Sequence, residues 1–187
     1  SKYHAKFLRA FILPDRATKN TELPAKALSD KEQPNTTHFS VIDKDGNKVS
    51  ATLTINYIFG SSVVAEGTGV LLNDEMDDFA IKTHTKNIFG LVHGEANTIA
   101  PGKRPLSSMT PSFLLKPGGE AIVGTPGGSR IPSMVLLASL AFFEDYNAIT
   151  MVSKMRFHHQ YMPDWLIYEP NAIPQVTLDG LEKMGYR

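Results

Sequence analysis

The chain has 187 residues, 42% of them hydrophobic and 20% charged, and its basic and acidic side chains balance to a formal net charge of +0. That length and composition suit one globular unit with a sizeable core. Scattered basic residues, with Lys103-Arg104 the densest pair beyond the N-terminal arm, exclude a phosphate-tracking groove and so a nucleic-acid binder, and the lack of cysteine excludes disulfides, thiolate nucleophiles and thiolate-held metals.

Residues 3–13 predict a short amphipathic helix that Pro14 ends. The next stretch, to residue 35, is polar and proline-punctuated and reads as an exposed linker. From Thr36 the texture turns dense, so a domain boundary is expected at Asn35. Residues 36–56 then read as a hairpin. Phe39 and Val41 alternate on its first strand, and Val49, Ala51, Leu53 and Ile55 on its second. Matching the apolar sets puts Phe39 opposite Leu53 and Val41 opposite Ala51. A three-residue loop, Lys44-Asp45-Gly46, closes the turn with Gly46 in the left-handed position. The other face carries Ser40 opposite Ser50, His38 opposite Thr52 and Thr36 opposite Thr54, with Asn56 one step beyond.

A further strand is expected at 69–72, a long loop of lid-like length at 80–105, and strands at 112–115 and 120–123 joined by Pro117-Gly118-Gly119. TPGGSR leads into an apolar helix over 131–146, with Pro132 tolerated in its first turn. Helices over 148–155 and 176–184 follow. No apolar run reaches bilayer length, and the absence of a secretory leader carries no weight if the chain is the downstream part of a longer precursor. Consecutive strands mixed with helices favour α+β over a doubly wound sheet.

The hydroxyls at the open end of the hairpin admit two readings. The ordinary one is a solvated face built of β-favouring threonines. The other depends on the boundary. A cut after Asn35 would give Thr36 a free α-amine, whose pKa lies near enough to neutrality to serve its own hydroxyl as general base, with Thr54 holding the oxygen. Such assistance is typically worth roughly 10²–10⁴-fold. Further along, Glu75 and Asp78 are acceptors suited to an ammonium and, three residues apart, could converge from one turn, although EMDD alone reads more readily as a solvated acidic loop. Gly127 and Gly128 carry no Cβ and present their amides at a helix start, where the dipole favours negative charge. His84, His93 and the pair His158-His159 lack metal-ligand spacing; adjacent histidines on a strand point apart, so a structural role is expected. Trp165 and Tyr168 read as packing rather than as a base-stacking platform.

In sequence order, NTTHFSVIDKDGN, TLTIN, LLNDEMDDF, KRPLSSMTP, GTPGGSR and RFHHQYMPD resemble γ-glutamyltranspeptidase, an N-terminal-nucleophile hydrolase. The resemblance runs from Thr36 to about Asp164 and weakens towards Gly185. It implies a four-layer αββα sandwich completed by a large subunit, with residues 1–35 as that subunit's tail and 36–187 as the small catalytic subunit. The family's last strands and its carboxylate-binding arginine are expected outside this chain. A precursor that cuts itself between Asn35 and Thr36 is implied, acting on glutathione or a related γ-glutamyl donor with an amino acid, a peptide or water as acceptor. No metal or organic cofactor is implied, and an exported protein, periplasmic or extracellular, is.

By position, Thr36 matches the family nucleophile, Thr54 its support, and Gly127 and Gly128 the oxyanion-hole glycines; Thr37 is expected to pack inward. Asn56, Glu75 and Asp78 match the holders of the donor's α-amino group, and Ser107 and Ser108 the pair that contacts its α-carboxylate. Phe89 stands where related enzymes often carry a lid tyrosine. Two alternatives stay open: a family amidase for another substrate, such as poly-γ-glutamate or a β-lactam side chain, and an unprocessed, inactive homologue with a binding or structural role. The set Glu75, Asp78, Ser107 and Ser108 favours a free α-amino acid head over a glutaryl group.

Overall fold

The computed structural model describes residues 2–10, 12–18, 35–82, 94–160 and 163–187. Strands β1 (Thr36–Ile42) and β2 (Lys48–Thr54) pair antiparallel. Asp43 builds the turn between them. Its carboxylate accepts the Asp45 and Asn47 amides at 2.9 and 2.8 Å and the Asn47 side-chain amide at 2.7 Å. Its backbone N–H donates to Asn47 at 3.0 Å, and Gly46 takes a φ of 83°. The three-residue loop is therefore as expected, and with it come the expected pairs Thr36–Thr54, His38–Thr52 and Ser40–Ser50. The apolar pairing is not as expected: Phe39 faces Ala51 and Val41 faces Val49. Phe39–Leu53 and Val41–Ala51 belong to a register two residues away. A two-residue slip preserves the faces, so side-chain pattern does not separate the two registers, and the Asp43 turn decides between them.

Which face turns inward also differs from the ordinary reading. The hydroxyl face lies against the rest of the chain: Ser50 Oγ donates to the Val123 carbonyl at 3.4 Å, and a Cβ on Gly124 would stand 2.2 Å from the His38 ring. The apolar face looks outward, with Phe39, Val41, Val49 and Leu53 between 44% and 57% exposed. Thr37 is on that exposed side and does not pack inward.

β3 (Val64–Ala65) and β4 (Val70–Leu71) form a short ladder, only the second strand of which was expected. β5 (Ser112–Lys116) and β6 (Gly119–Val123) pair through Lys116–Gly119, leaving Pro117-Gly118 as the turn with Gly118 at φ 81°. α2 (Ile131–Phe143) buries Ile131, Val135, Ala141 and Phe142, while Leu136, Leu140 and Phe143 on its other sides stay exposed. Lys116 fastens its end: Nζ donates to the Phe142 carbonyl and to Asp145, both at 2.5 Å, and lies 4.5 Å from the Phe142 ring centre. α3 (Ala148–Ser153) is capped by Asn147, whose Oδ1 accepts the Thr150 amide at 2.9 Å; it stops two residues short of expectation.

β7 (Phe157–His159) and β8 (Leu166–Tyr168) form a ladder that pattern reading did not anticipate, because three-residue strands carry too few residues to show alternation. α4 (Gln175–Met184) closes with Gly185 in the left-handed conformation. Upstream, α1 (Lys2–Arg9) is shorter than expected: the Ile12 amide turns back to Arg9 at 3.1 Å ahead of Pro14. The arm beyond it meets the end of α4 where the Ala17 amide donates to Met184 at 2.8 Å. The described residues thus form a mixed α+β arrangement of antiparallel two-stranded ladders and helices. Among the described residues no helix is long and apolar enough to cross a membrane.

Candidate active site

Cross-strand pairing at the open end of β1–β2 places two hydroxyls in contact: Thr36 Oγ–H donates to Thr54 Oγ at 3.1 Å. Thr54 Oγ also accepts the Asn56 amide at 2.9 Å. Thr54 is therefore held from the backbone side and orients the Thr36 proton, leaving the Thr36 lone pairs free of that bond. It is no base, and in the continuous chain the Thr36 nitrogen is an amide joined to Asn35. Below the pair on the same face, the His38 ring bridges Thr52 at 2.9 Å and Ser40 at 3.1 Å. Burial holds its pKa below the usual histidine value, favouring the neutral ring.

Asn56 leaves β2 at φ 65°, a left-handed conformation that asparagine tolerates better than most residues, and is only 5% exposed. Its side-chain nitrogen is buried without a partner. The acidic turn lies beside it: the Asp74 amide reaches the Ile55 carbonyl at 3.4 Å, and Asp74 Oδ1 accepts the Tyr57 amide at 3.1 Å. Residues Glu75–Asp78 make one 3₁₀ turn, which stacks side chains three apart. Glu75 and Asp78 accordingly share a hydrogen bond. Burial first, then that bond, then the charges of Asp78 and Asp74 push the Glu75 carboxyl up to about 7. Glu75 Oε1 is buried and unpaired. Asn56 and Glu75 thus leave an orphaned amide donor and an orphaned carboxyl acceptor, each of which costs free energy until a partner meets it.

The serine pair occupies an extended segment braced locally, Ser107 Oγ accepting the Met109 amide at 3.2 Å and the Ser108 carbonyl accepting Thr110 Oγ–H at 2.9 Å. No bond joins it directly to Thr36 among the described residues. Its link to the acidic turn runs through Asn97, whose side chain contacts both Asp78 and Leu106.

Gly127 and Gly128 both take positive φ, 142° and 56°, at the entrance to the 3₁₀ turn that starts α2. Side chains strain in such a conformation, so the sequence requirement for glycine is a backbone one. Among the described residues neither amide has an acceptor. The strand that delivers them runs along the hairpin's hydroxyl face through Val123 and Gly124.

Sequence reasoning missed what anchors this turn. The Gln160 side-chain oxygen accepts Ser129 Oγ–H at 2.7 Å and His158 Nε2–H at 2.9 Å. The proton on Nε2 leaves Nδ1 to accept Ser133 Oγ–H at 2.8 Å. His158, 5% exposed, therefore ties the residue after Gly128 to the first turn of α2. The signal was His158 and Gln160 spaced two apart, hence on one face of a strand. His159 points the other way, to Asp164 at 2.9 Å and Tyr186. The lid position Phe89 and the histidines His84 and His93 lie outside the described residues.

The gamma-glutamyltranspeptidase family model matches residues 1–187. Over the whole chain, 47% of residues are identical to a glutathione hydrolase proenzyme of Pseudomonas sp. strain A14 and 43% to one of Escherichia coli K12; the chain spans 32% of each. The chain therefore covers about a third of the length of the curated relatives it matches. A crystal structure of an acivicin-inhibited gamma-glutamyltranspeptidase superposes with a TM-score of 0.74 at 48% identity, covering 81% of each chain. The Bacillus anthracis transpeptidase enzyme CapD gives 0.56 at 25% identity, over 81% of this chain and 75% of that one.

Proposed function

This chain belongs to the gamma-glutamyltranspeptidase family, and from that premise we propose that it is the catalytic, small-subunit part of an exported γ-glutamyl-transferring enzyme made as a longer precursor. Residues 1–35 end the large subunit, residues 36–187 begin the small one, and together they complete a four-layer αββα sandwich. The Thr36 hydroxyl first attacks the Asn35 carbonyl, the peptide nitrogen becomes the Thr36 amine, and water releases the resulting ester. In turnover that amine takes the Thr36 Oγ proton as Oγ adds to the γ-carbonyl of glutathione or a related donor. The oxyanion rests on the Gly127 and Gly128 amides, the amine returns the proton to the leaving nitrogen, and an ester of Thr36 remains. Water then yields glutamate; an amino acid or peptide yields a new γ-glutamyl amide.

Glu75 and Asp78 receive the donor's ammonium. Asn56 offers its side-chain oxygen to the same group and its unpaired nitrogen to a carboxylate oxygen, while Ser107 and Ser108 take the α-carboxylate. This assignment is supported by the orphaned atoms of Asn56 and Glu75, which a free α-amino acid head satisfies at once. The outward apolar face of the hairpin and the uncovered sides of α2 support a large partner subunit. One observation carries the reading: the Thr36–Thr54 hydroxyl contact at the residue that self-cleavage would make N-terminal. The test is Thr36→Ala in the full precursor. We expect loss of both processing and release of p-nitroaniline from γ-glutamyl-p-nitroanilide; retained turnover would move the nucleophile elsewhere.

A further inference from the structure

The two halves of the donor-binding surface, the acidic turn and the serine pair, belong to segments more than twenty residues apart in sequence. One side chain spans them. Asn97 Nδ2 donates to the Asp78 carbonyl at 2.6 Å, and Asn97 Oδ1 accepts the Leu106 amide at 2.9 Å. Its backbone adds a second tie to the residues that follow the acidic turn. The Asn97 carbonyl accepts the Ala80 amide at 2.9 Å, and Ala80 pairs with Thr98 in a parallel bridge. Phe79 and Ala80, which follow the acidic turn, are 6% and 3% exposed, so the turn is seated on the core at this point. On the far side, Leu106 immediately precedes Ser107. Both Asn97 bonds go to backbone atoms, so they fix chain positions rather than side-chain rotamers.

We propose that Asn97 is a positioning residue that sets the distance between the subsite for the donor's ammonium and the subsite for its carboxylate. The proposal rests on the functional reading above, because it takes Glu75 and Asp78 to receive the one group and Ser107 and Ser108 the other. A carboxamide suits the task because it holds a donor and an acceptor on two atoms of one planar group, whatever the pH. Alanine offers neither; aspartate keeps an acceptor for Leu106 and loses the donor to Asp78.

The spacing of two subsites matters only to a ligand that occupies both, and this separates positioning from general bracing of a loop. γ-Glutamyl-p-nitroanilide carries ammonium and carboxylate; glutaryl-p-nitroanilide carries the carboxylate alone. In the processed enzyme from the full precursor, we expect Asn97→Ala to raise KM for the γ-glutamyl anilide about tenfold, the effect of losing a buried hydrogen-bonded link, with kcat changed less than about threefold. The kcat/KM preference for the γ-glutamyl over the glutaryl anilide should narrow by the same factor. Asn97→Asp should show part of the KM rise and serves as the second variant if Asn97→Ala does not process. An unchanged preference in both variants would overturn the proposal. So would an equal fall in kcat on both substrates at unaltered KM, or failure of both variants to process, since Asn97 would then serve folding alone. A wild-type enzyme that turns over no γ-glutamyl anilide would instead overturn the functional reading itself.

Discussion

Two residues state the chemistry most sharply, Thr36 and Glu75. Thr36 was legible because hairpin pairing is arithmetic: a loop of known length determines which hydroxyls meet, and Thr36–Thr54 followed from it. The environment of Glu75 was not legible, since burial of a carboxyl beside Asp78 depends on how the acidic turn packs, which no local pattern encodes. Its raised pKa has a sign that can be checked twice. An ammonium binds the ionised carboxylate, so KM for a γ-glutamyl donor should fall as pH rises from about 6 to 8, through the folded value near 7. Glu75→Gln should raise KM and flatten that slope. For stability the sign is opposite. The carboxyl titrates higher when folded than its ordinary 4.5, so its favourable contribution is complete below about 4.5 and lost as pH rises through about 7. Glu75→Gln should therefore be more stable than the parent at pH 8 and no more stable at pH 4, as read by urea melts.

At the scale of elements, the β1–β2 hairpin and the strand leading to Gly127 meet at one tight point, His38 against Gly124. A methyl on Gly124 would stand 2.2 Å from His38 Nδ1 and Cε1, and the ring is held in place by Thr52 and Ser40. Gly124→Ala should destabilise the protein by about 1–3 kcal/mol through overpacking. The double variant Gly124→Ala, His38→Ala should recover much of that loss, a coupling that denaturant titration of the four-member cycle measures. Sequence placed both elements correctly but not their contact. Long-range approach of a glycine to a ring leaves no periodic trace, whereas β5, β6 and α2 announce themselves by runs of apolar residues and by Pro117-Gly118 and Pro132. The β7–β8 ladder was hidden for a different reason, the shortness of its three-residue strands.

Over the whole molecule, α+β character was readable from the mixture of strand and helix signals, while the direction each face turns was not. A hairpin with hydroxyls on one side and Phe39, Val41, Val49 and Leu53 on the other reads as apolar-in, and the chain does the reverse. Within the proposed heterodimer the inversion is only apparent, because the outward apolar face is the one a large subunit covers. Leu53→Asp, on that face and away from the Thr36–Thr54 contact, should weaken association of the processed subunits by about 1.5–3 kcal/mol, the burial value of one large aliphatic side chain. Subunit dissociation followed by native mass spectrometry against urea would detect it; unchanged association would remove this face from the interface.

In the proposed mechanism a latent site becomes active when the bond before Thr36 is broken. N-terminal sequencing of the folded, purified precursor, done alongside its γ-glutamyl anilide turnover, tests it most directly. A second N-terminus reading Thr-Thr-His-Phe-Ser is expected, appearing in proportion to activity. Full turnover by protein whose Asn35–Thr36 bond remains intact would contradict it.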